Sequence, residues 1–506
     1  MSILRLAKQS ALGLTVFSAF LVLLVGLFAV SANAQTNSTW NGGTGNWSNS
    51  SDWNPAAAPN NSGATTYDIT IGVANSNVTM DVLNDTIDNL SLDATTSLTI
   101  TGNTLSLNSG ASSDAGMITN NGGIFNNRLG SSLTISSGFL NQGAFISGNF
   151  VAGSLNNAGK LFISSSGLIL NQDGDTINNS GTLTNAGNLF MLEGVINNSG
   201  TLTNMSDNFT ILDAELGNSG NFNNYGMVHN EGNIDNNPGA FVTNFGTINS
   251  LIGAEISNSG TFLNTSAATV NSSENFFSNS GKLVNLGTIN NDGVFTNSGF
   301  VNITSTGLFT TTTNYTQTAG KTFVNGTLTA TGSAIVDIQA GLLGGGGTIN
   351  GNVKMAGTML AGTPGSPLSF IINGNYEQTS TGIYDELIGS NANGLLQVSG
   401  AAKLDPGASL DVFLLAGFDP SNGTSFTILD YGSESGAFAI ADPFFNGGTQ
   451  KWVISSYNGG DGDDIVLTAE ANNVATTPEP ATTLLLGTVL LVAAWYVRKK
   501  RSEHAQ

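Results

Sequence analysis

The sequence predicts an all-β chain wound as a parallel β-solenoid of roughly 20-residue coils, and three observations lead there. First, the phrase Asn-x-Gly returns at Asn157/Gly159, Asn179/Gly181, Asn198/Gly200, Asn218/Gly220, Asn237/Gly239, Asn258/Gly260, Asn279/Gly281 and Asn297/Gly299. Successive glycines lie 22, 19, 20, 19, 21, 21 and 18 residues apart, too close for helix-pair repeats but suited to one turn of a β-solenoid. Second, the side chain two positions past each glycine is apolar: Leu161, Leu183, Leu202, Phe222, Phe241, Phe262, Leu283 and Val301. Third, four positions before it stand Leu155, Ile177, Ile196, Leu216, Ile256, Phe277 and Phe295, with Ile234 displaced by one position in the copy containing Pro238.

Each part of the phrase has a physical role. In Thr182-Leu183-Thr184 one apolar residue stands between two β-branched polar ones, the period of two of a short strand with one buried side chain. Asn and Gly tolerate left-handed backbone, so Asn-x-Gly is expected to form a corner. Stacked coils set Asn over Asn, and their amides are expected to bond into ladders. The flanking apolar residues point inward into a column that no single coil buries alone.

Charged residues make up only 9% of the 506, and the formal net charge is −21. Residues 35–477 carry 32 acidic against 7 basic groups, a net of −25. Such a surface repels nucleic acid and anionic lipid, so no nucleic-acid partner is expected. Without cysteine there is neither a disulfide framework nor a thiolate metal site. Heavy use of Asn, Gly, Ser and Thr is also a signature of disorder, but a disordered chain has no reason to keep apolar residues in step.

In chain order, residues 1–34 read as a secretory signal: Arg5 and Lys8, an apolar run from Ala11 to Val30, then Ala32-Asn33-Ala34 as the cleavage site. Removal after Ala34 is expected, a retained anchor being the alternative. Residues 35–115 read as an N-terminal cap and first coils. Three of the five tryptophans, Trp40, Trp47 and Trp53, fall in one polar segment, where they would close the open end of the first coil. The alternative is an exposed aromatic platform for sugars. Residues 116–345 carry the repeat, with irregular turns expected at Thr310–Thr313 and Gly344–Gly347. Residues 346–470 read as C-terminal coils and 471–477 as a linker. Then Pro478-Glu479-Pro480 precedes 17 uncharged residues, Ala481 to Val497, and the cluster Arg498-Lys499-Lys500-Arg501. Seventeen residues is the short limit for a membrane-spanning helix, and the basic cluster should stay cytoplasmic with the tail 502–506.

Residues 478–501, tripeptide then span then basic cluster, closely resemble the PEP-CTERM sorting signal. The resemblance implies recognition by an exosortase, removal of the span, and a Gram-negative bacterium that makes exopolysaccharide; a permanent tail anchor is the alternative. The body resembles autotransporter-type passenger domains, which are bacterial surface β-helices. The resemblance rests on Trp40-Asn41-Gly42-Gly43-Thr44-Gly45-Asn46-Trp47, Gly345-Gly346-Gly347-Thr348-Ile349-Asn350-Gly351-Asn352-Val353, Leu360-Ala361-Gly362-Thr363-Pro364-Gly365 and Leu396-Gln397-Val398-Ser399-Gly400. It implies right-handed winding. Nothing after residue 470 reads as that family's outer-membrane β-barrel, so self-translocation is not carried over.

β-Helices include polysaccharide lyases and hydrolases, whose chemistry wants a strong base or two carboxylates across a cleft. Residues 35–477 hold one arginine, Arg128, and one histidine, His229. Asp173/Asp175 and Asp213/Glu215 are i, i+2 pairs, expected to mark a turn or one strand face, and His229 is expected to be a solvated strand residue. Gly459-Gly460-Asp461-Gly462-Asp463-Asp464-Ile465-Val466-Leu467 matches the Ca²⁺-binding nonapeptide of repeats-in-toxin proteins once. One copy lacks the half-site that a neighbouring turn supplies, so a tight turn before a last strand Ile465–Thr468 is expected. No catalytic, cofactor or metal residue is assigned.

The expected protein is therefore not an enzyme. It is an exported structural or adhesive component of the cell surface or extracellular matrix. It would pass the Sec translocon and signal peptidase, sit at least transiently in the inner membrane, meet an exosortase, and touch exopolysaccharide or neighbouring cells by shallow multivalent contacts. A polysaccharide-degrading β-helix enzyme and a self-assembling surface filament are the alternatives. About 430 residues at ~20 per coil would make roughly 21 coils.

Overall fold

The computed structural model describes residues 34–472, apart from 109, 128–130, 142, 143, 148–153, 173, 275, 460 and 461, together with residue 492. The signal segment with Ala32, linker residues 473–477 and all of 478–501 except residue 492 lie outside the described residues. Ala34 opens the first strand, Ala34–Trp40, and Ala471, expected in the linker, closes the last one. Among the described residues no helix is long and apolar enough to cross a membrane. The chain divides into two compact units, Met1–Asp337 and Ile338–Gln506.

The first unit is a parallel β-solenoid of about 14 turns with ~21-residue coils. Most coils have three short strands, here taken as faces one, two and three. One coil is Thr182–Asn185, Asn188–Leu192 and Val195–Asn198, and in the next the last two faces run together as Asn208–Asn218. Each strand pairs in parallel with its counterpart one coil on: Leu183 with Leu202 and then Phe222 on face one, Leu189 with Phe209 on face two, Ile196 with Leu216 on face three. Most four-residue strands bury their second and fourth side chains. The second is apolar, as in Leu183, Leu202, Phe222, Ile177, Ile196 and Leu216, all fully buried. Burying such a side chain is worth roughly 1.5–3 kcal/mol, so the columns supply the main cohesion along the stack.

The fourth side chain is most often asparagine, and it is just as buried. Asn157 Nδ2 donates to Asn179 Oδ1 at 2.7 Å, Asn179 to Asn198 at 2.7 Å, Asn198 to Asn218 at 2.7 Å, and Asn218 to Asn236 at 2.9 Å. The ladder goes on through Asn258, Asn279 and Asn297 to Gln317 Oε1. The second hydrogen of each amide reaches a backbone carbonyl of the next coil, as from Asn179 to Thr201 O at 3.0 Å. An interior amide is thus satisfied on both sides, which is what makes its burial tolerable.

Two expectations need correction. The repeat glycines sit at corners, but Gly159, Gly181, Gly200, Gly220, Gly260, Gly281 and Gly299 have no left-handed backbone; among the eight only Gly239 does, at φ 83°. Glycine is required for close approach instead: a Cβ on Gly181 would overlap Gly159 O, and one on Gly200 would overlap Gly181 O. The left-handed residues gather at the corner between faces two and three, at Gly174, Glu193, Asp213, Gly253 and Glu274. The copy containing Pro238 also reads differently. Asn236, not Asn237, carries the ladder, and Val242, not Phe241, enters the column. Phe241 is 51% exposed. The chain carries two extra residues between Asn236 and Val242, so Ile234 keeps its place opposite Leu216 while the glycine slips out of step.

The tryptophans form a buried cluster. Trp53 packs edge-on against Trp40 at 5.0 Å and Trp47 at 4.9 Å, and all three are at most 1% exposed. Each indole N–H reaches a backbone carbonyl: Trp40 to Gly43, Trp47 to Pro59 and Trp53 to Trp47. Nothing of these rings is open to stack on a sugar, so the platform alternative fails at this place.

In the second unit Leu342–Gly345, Thr358–Thr363, Ile383–Ile388 and Ser409–Leu414 pair in parallel succession. The glycine run therefore lies partly in a strand, with Gly346 and Gly347 at the corner after it, just as Thr310 and Thr311 end the strand Leu308–Thr311. Towards its end the parallel winding stops. Ser425–Gly436 and Gln450–Gly459 both pair antiparallel with Gly462–Ala471. The final strand is longer than Ile465–Thr468. Because these residues and the tryptophan segment do not form coils of the repeat, roughly 21 equal coils was an overestimate.

Candidate functional site: an amide-lined trough

Face three carries a second, outer row of asparagines beside the buried ladder, because consecutive strand residues point to opposite sides. In Ser154–Asn157, Thr176–Asn179 and Val195–Asn198 the third residue faces out and the fourth faces in. The outer row is also hydrogen-bonded: Asn197 Nδ2 donates to Asn178 Oδ1 at 3.0 Å, Asn178 to Asn156 at 2.8 Å, and Asn156 to Ser132 Oγ at 3.0 Å. With the corner serines Ser180, Ser199 and Ser219 and the carboxylate of Glu215 it lines a trough of about 320 Å³. Amide and hydroxyl groups at one-coil intervals, ~4.8 Å apart, present alternating donors and acceptors to a chain molecule lying across the coils.

Around the next corner a hollow of about 390 Å³ is lined by Glu193, Asp213, Glu215 and Glu231. Asp213 lies inside, and Glu215 directly after, a register shift in the strand Asn208–Asn218, where a turn or one strand face was expected. Asp175 is fully buried, and Asp173 lies outside the described residues. His229 is half-buried on the outer side of face two, in register with Thr210 and Asn249, as a solvated strand residue would be. Arg128 lies outside the described residues. No group of three His, Cys, Asp or Glu side chains among the described residues is placed to hold a metal ion. The side chains at the tip of the Gly459–Gly462 turn are likewise outside the description.

Four acidic residues escaped sequence reasoning. Asp114 is fully buried in a stack between Leu92 and Ile135, where burial pushes its carboxyl up to about 7. Glu386 is buried beside Tyr384 and Asn393, and desolvation holds it well above the usual carboxylate range. Asp385, one position before it, faces Asp411 across a strand pairing; burial first, then the Asp411 charge, raises it to about 6. The signal for Asp385 and Asp411 was only their place in strands one coil apart, invisible without the register. A further surface feature is the parallel stack of Tyr225 on Phe245, with centroids 4.5 Å apart and exposures of 54% and 40%. No protein-family model matches the chain, and no curated protein matches it.

Proposed function

We propose that the protein is an exported structural or adhesive component of the bacterial surface or extracellular matrix, and that it holds polysaccharide without cleaving it. The observation that carries this reading is the trough on face three, a run of amides and hydroxyls repeated over successive coils with one carboxylate, Glu215, among them. Shallow polar contacts of this kind are individually weak, and repetition along a chain ligand turns them into useful avidity. The buried amide ladders support the same reading, since they favour a stiff scaffold over a mobile one. The C-terminal order Pro478-Glu479-Pro480, apolar span and Arg498-Lys499-Lys500-Arg501 supports export and delivery by an exosortase.

Two measurements test the proposal. The purified chain is run in native gels with and without embedded neutral and amine-bearing polysaccharides, and polymer viscosity is followed in parallel. Retardation at constant viscosity is expected, whereas a fall in viscosity would replace the adhesive reading with an enzymatic one. Cells producing the intact chain are also fractionated beside cells producing a chain without residues 478–501. Identical partitioning of the two would refute the sorting assignment.

A further inference from the structure

The outer amide row stops abruptly at one residue. Its positions, read by strand pairing on face three, run Asn156, Asn178, Asn197, Gly217, Asp235 and Ser257. Where the next rung should stand there is Gly217, which has no side chain. Its backbone does not demand glycine: it is not left-handed, and an added Cβ would meet Glu215 Oε1 at 3.5 Å, Asn197 Oδ1 at 3.6 Å and Ile196 O at 3.8 Å, all ordinary contacts. Seven of the eight repeat glycines are enforced by overlap with the previous coil, but this one is not. The result is a notch in the floor of the trough.

The chemistry around the notch has one sign. Asn197 gives one amide N–H to Asn178, and its Oδ1 faces the missing rung as an acceptor without a donor among the described residues. The Glu215 carboxylate lines the same trough, and Asp235 occupies the following position of the row. Neither carboxylate has a hydrogen-bond or ion-pair partner among the described residues. Beyond the notch, Asn237 Nδ2 gives one of its two hydrogens to Ser219 Oγ at 3.0 Å. The notch therefore accepts hydrogen bonds and attracts positive charge, whereas the trough leading to it, lined by Asn156, Asn178 and the corner serines, is neutral.

We infer that the trough on face three binds a polysaccharide bearing protonated amines, a partly N-deacetylated amino-sugar polymer, with one ammonium group seated at Gly217 between Asn197 Oδ1 and the Glu215 and Asp235 carboxylates. An ammonium group supplies three donors and no acceptor, which answers three facing acceptors, and its bonds to carboxylates are the stronger, charge-assisted kind. The neighbouring sugar hydroxyls meet the amide row. The chain's formal net charge of −21 works the same way, disfavouring polyanionic polymers and drawing in polycationic ones. This assignment rests on the polysaccharide-holding function proposed above and specifies its ligand class and site.

The test uses the full chain with chitosan oligosaccharides, their fully N-acetylated counterparts, and dextran, measured by titration calorimetry. The deciding variant is Gly217→Asn, which supplies the missing rung in the residue type the row already uses and so fills the notch while extending the ladder. Binding of chitosan oligosaccharides should fall at least ~tenfold in this variant and in Glu215→Gln, with unchanged far-UV circular dichroism and thermal midpoint. N-acetylated oligomers should bind at least ~tenfold more weakly than chitosan to the unaltered chain. If Gly217→Asn binds chitosan as the unaltered chain does, the site assignment is wrong, although polysaccharide holding survives. If both oligomers bind equally and Gly217→Asn abolishes both, the amine assignment is wrong. If the unaltered chain retains none of the three polymers, the adhesive function itself is refuted.

Discussion

Asn198→Leu, measured against Asn197→Ala, isolates what the buried ladder contributes. The two asparagines are adjacent in one strand and face opposite ways: Asn198 is 1% exposed, whereas Asn197 lies in the open trough. Asn198 accepts from Asn179 at 2.7 Å, donates to Asn218 Oδ1 at 2.7 Å and donates to Asn221 O at 2.9 Å. Leucine fits among the neighbouring columns but leaves Asn218 Oδ1 without its donor and the Asn179 amide with only Thr201 O. Each orphaned buried group costs about 1–3 kcal/mol, so the loss should be about 2–5 kcal/mol. Asn197→Ala removes one exposed bond and should cost under ~1 kcal/mol. Asn198→Asp should be worse still at neutral pH. It keeps the bond from Asn179 but turns an oxygen toward Asn218 Oδ1 and Asn221 O, so its folded pKa is raised. The stability it retains is present below about pH 4 and lost as pH rises through the folded value. Because solenoid stability is a sum of neighbour terms and unfolding need not be two-state, the assay is hydrogen exchange of amides in 176–221, with the melting curve as a second measure. Equal protection in Asn198→Leu and Asn197→Ala would refute the claim that the inner ladder carries stability.

Three other outcomes are expected. Gly200→Ala should destabilise by about 2–4 kcal/mol in thermal denaturation, since its Cβ overlaps Gly181 O; Gly239→Ala meets open space and should cost only about 1 kcal/mol, for its left-handed backbone. Asp114→Leu should raise the melting temperature at pH 8 and leave it nearly unchanged at pH 4. The folded pKa of Asp114 is raised from 3.8 to about 7, so its protonated form is unpenalised below about pH 4 and stability falls as pH rises through about 7. By linkage this shift is worth on the order of 2–4 kcal/mol at pH 8. Trp47→Ala should cost about 3–5 kcal/mol and open the first coil to proteolysis, since it removes a fully buried ring from the N-terminal cluster; unchanged protease resistance would show that the cluster does not act as a cap.

Much of the coil was legible because it repeats. Leu183, Leu202 and Phe222 keep step in the sequence, and a buried column needs apolar side chains at one fixed position per coil. The first amide ladder followed from the same regularity. A second ladder, Asn185, Asn204, Asn224, Asn244, Asn264 and Asn285, was equally present in the sequence. Asn185-Ala186-Gly187, Asn224-Tyr225-Gly226, Asn244-Phe245-Gly246 and Asn285-Leu286-Gly287 carry the identical phrase, some six residues after the one that drew notice. The Pro238 copy misled because matching on glycine follows Gly239, whereas the fold follows Ile234 and Asn236, which have contacts to keep.

Sequence alone determined the all-β winding, the coil length, the apolar columns and the acidic balance, because each is a one-dimensional regularity that stacking merely repeats. Tertiary structure decided which of two adjacent asparagines is buried, why the corner residue must be glycine, and that Gly217 leaves a gap in a row. Those facts depend on what lies one coil away, across about twenty residues of chain, and no spacing within a single coil contains them.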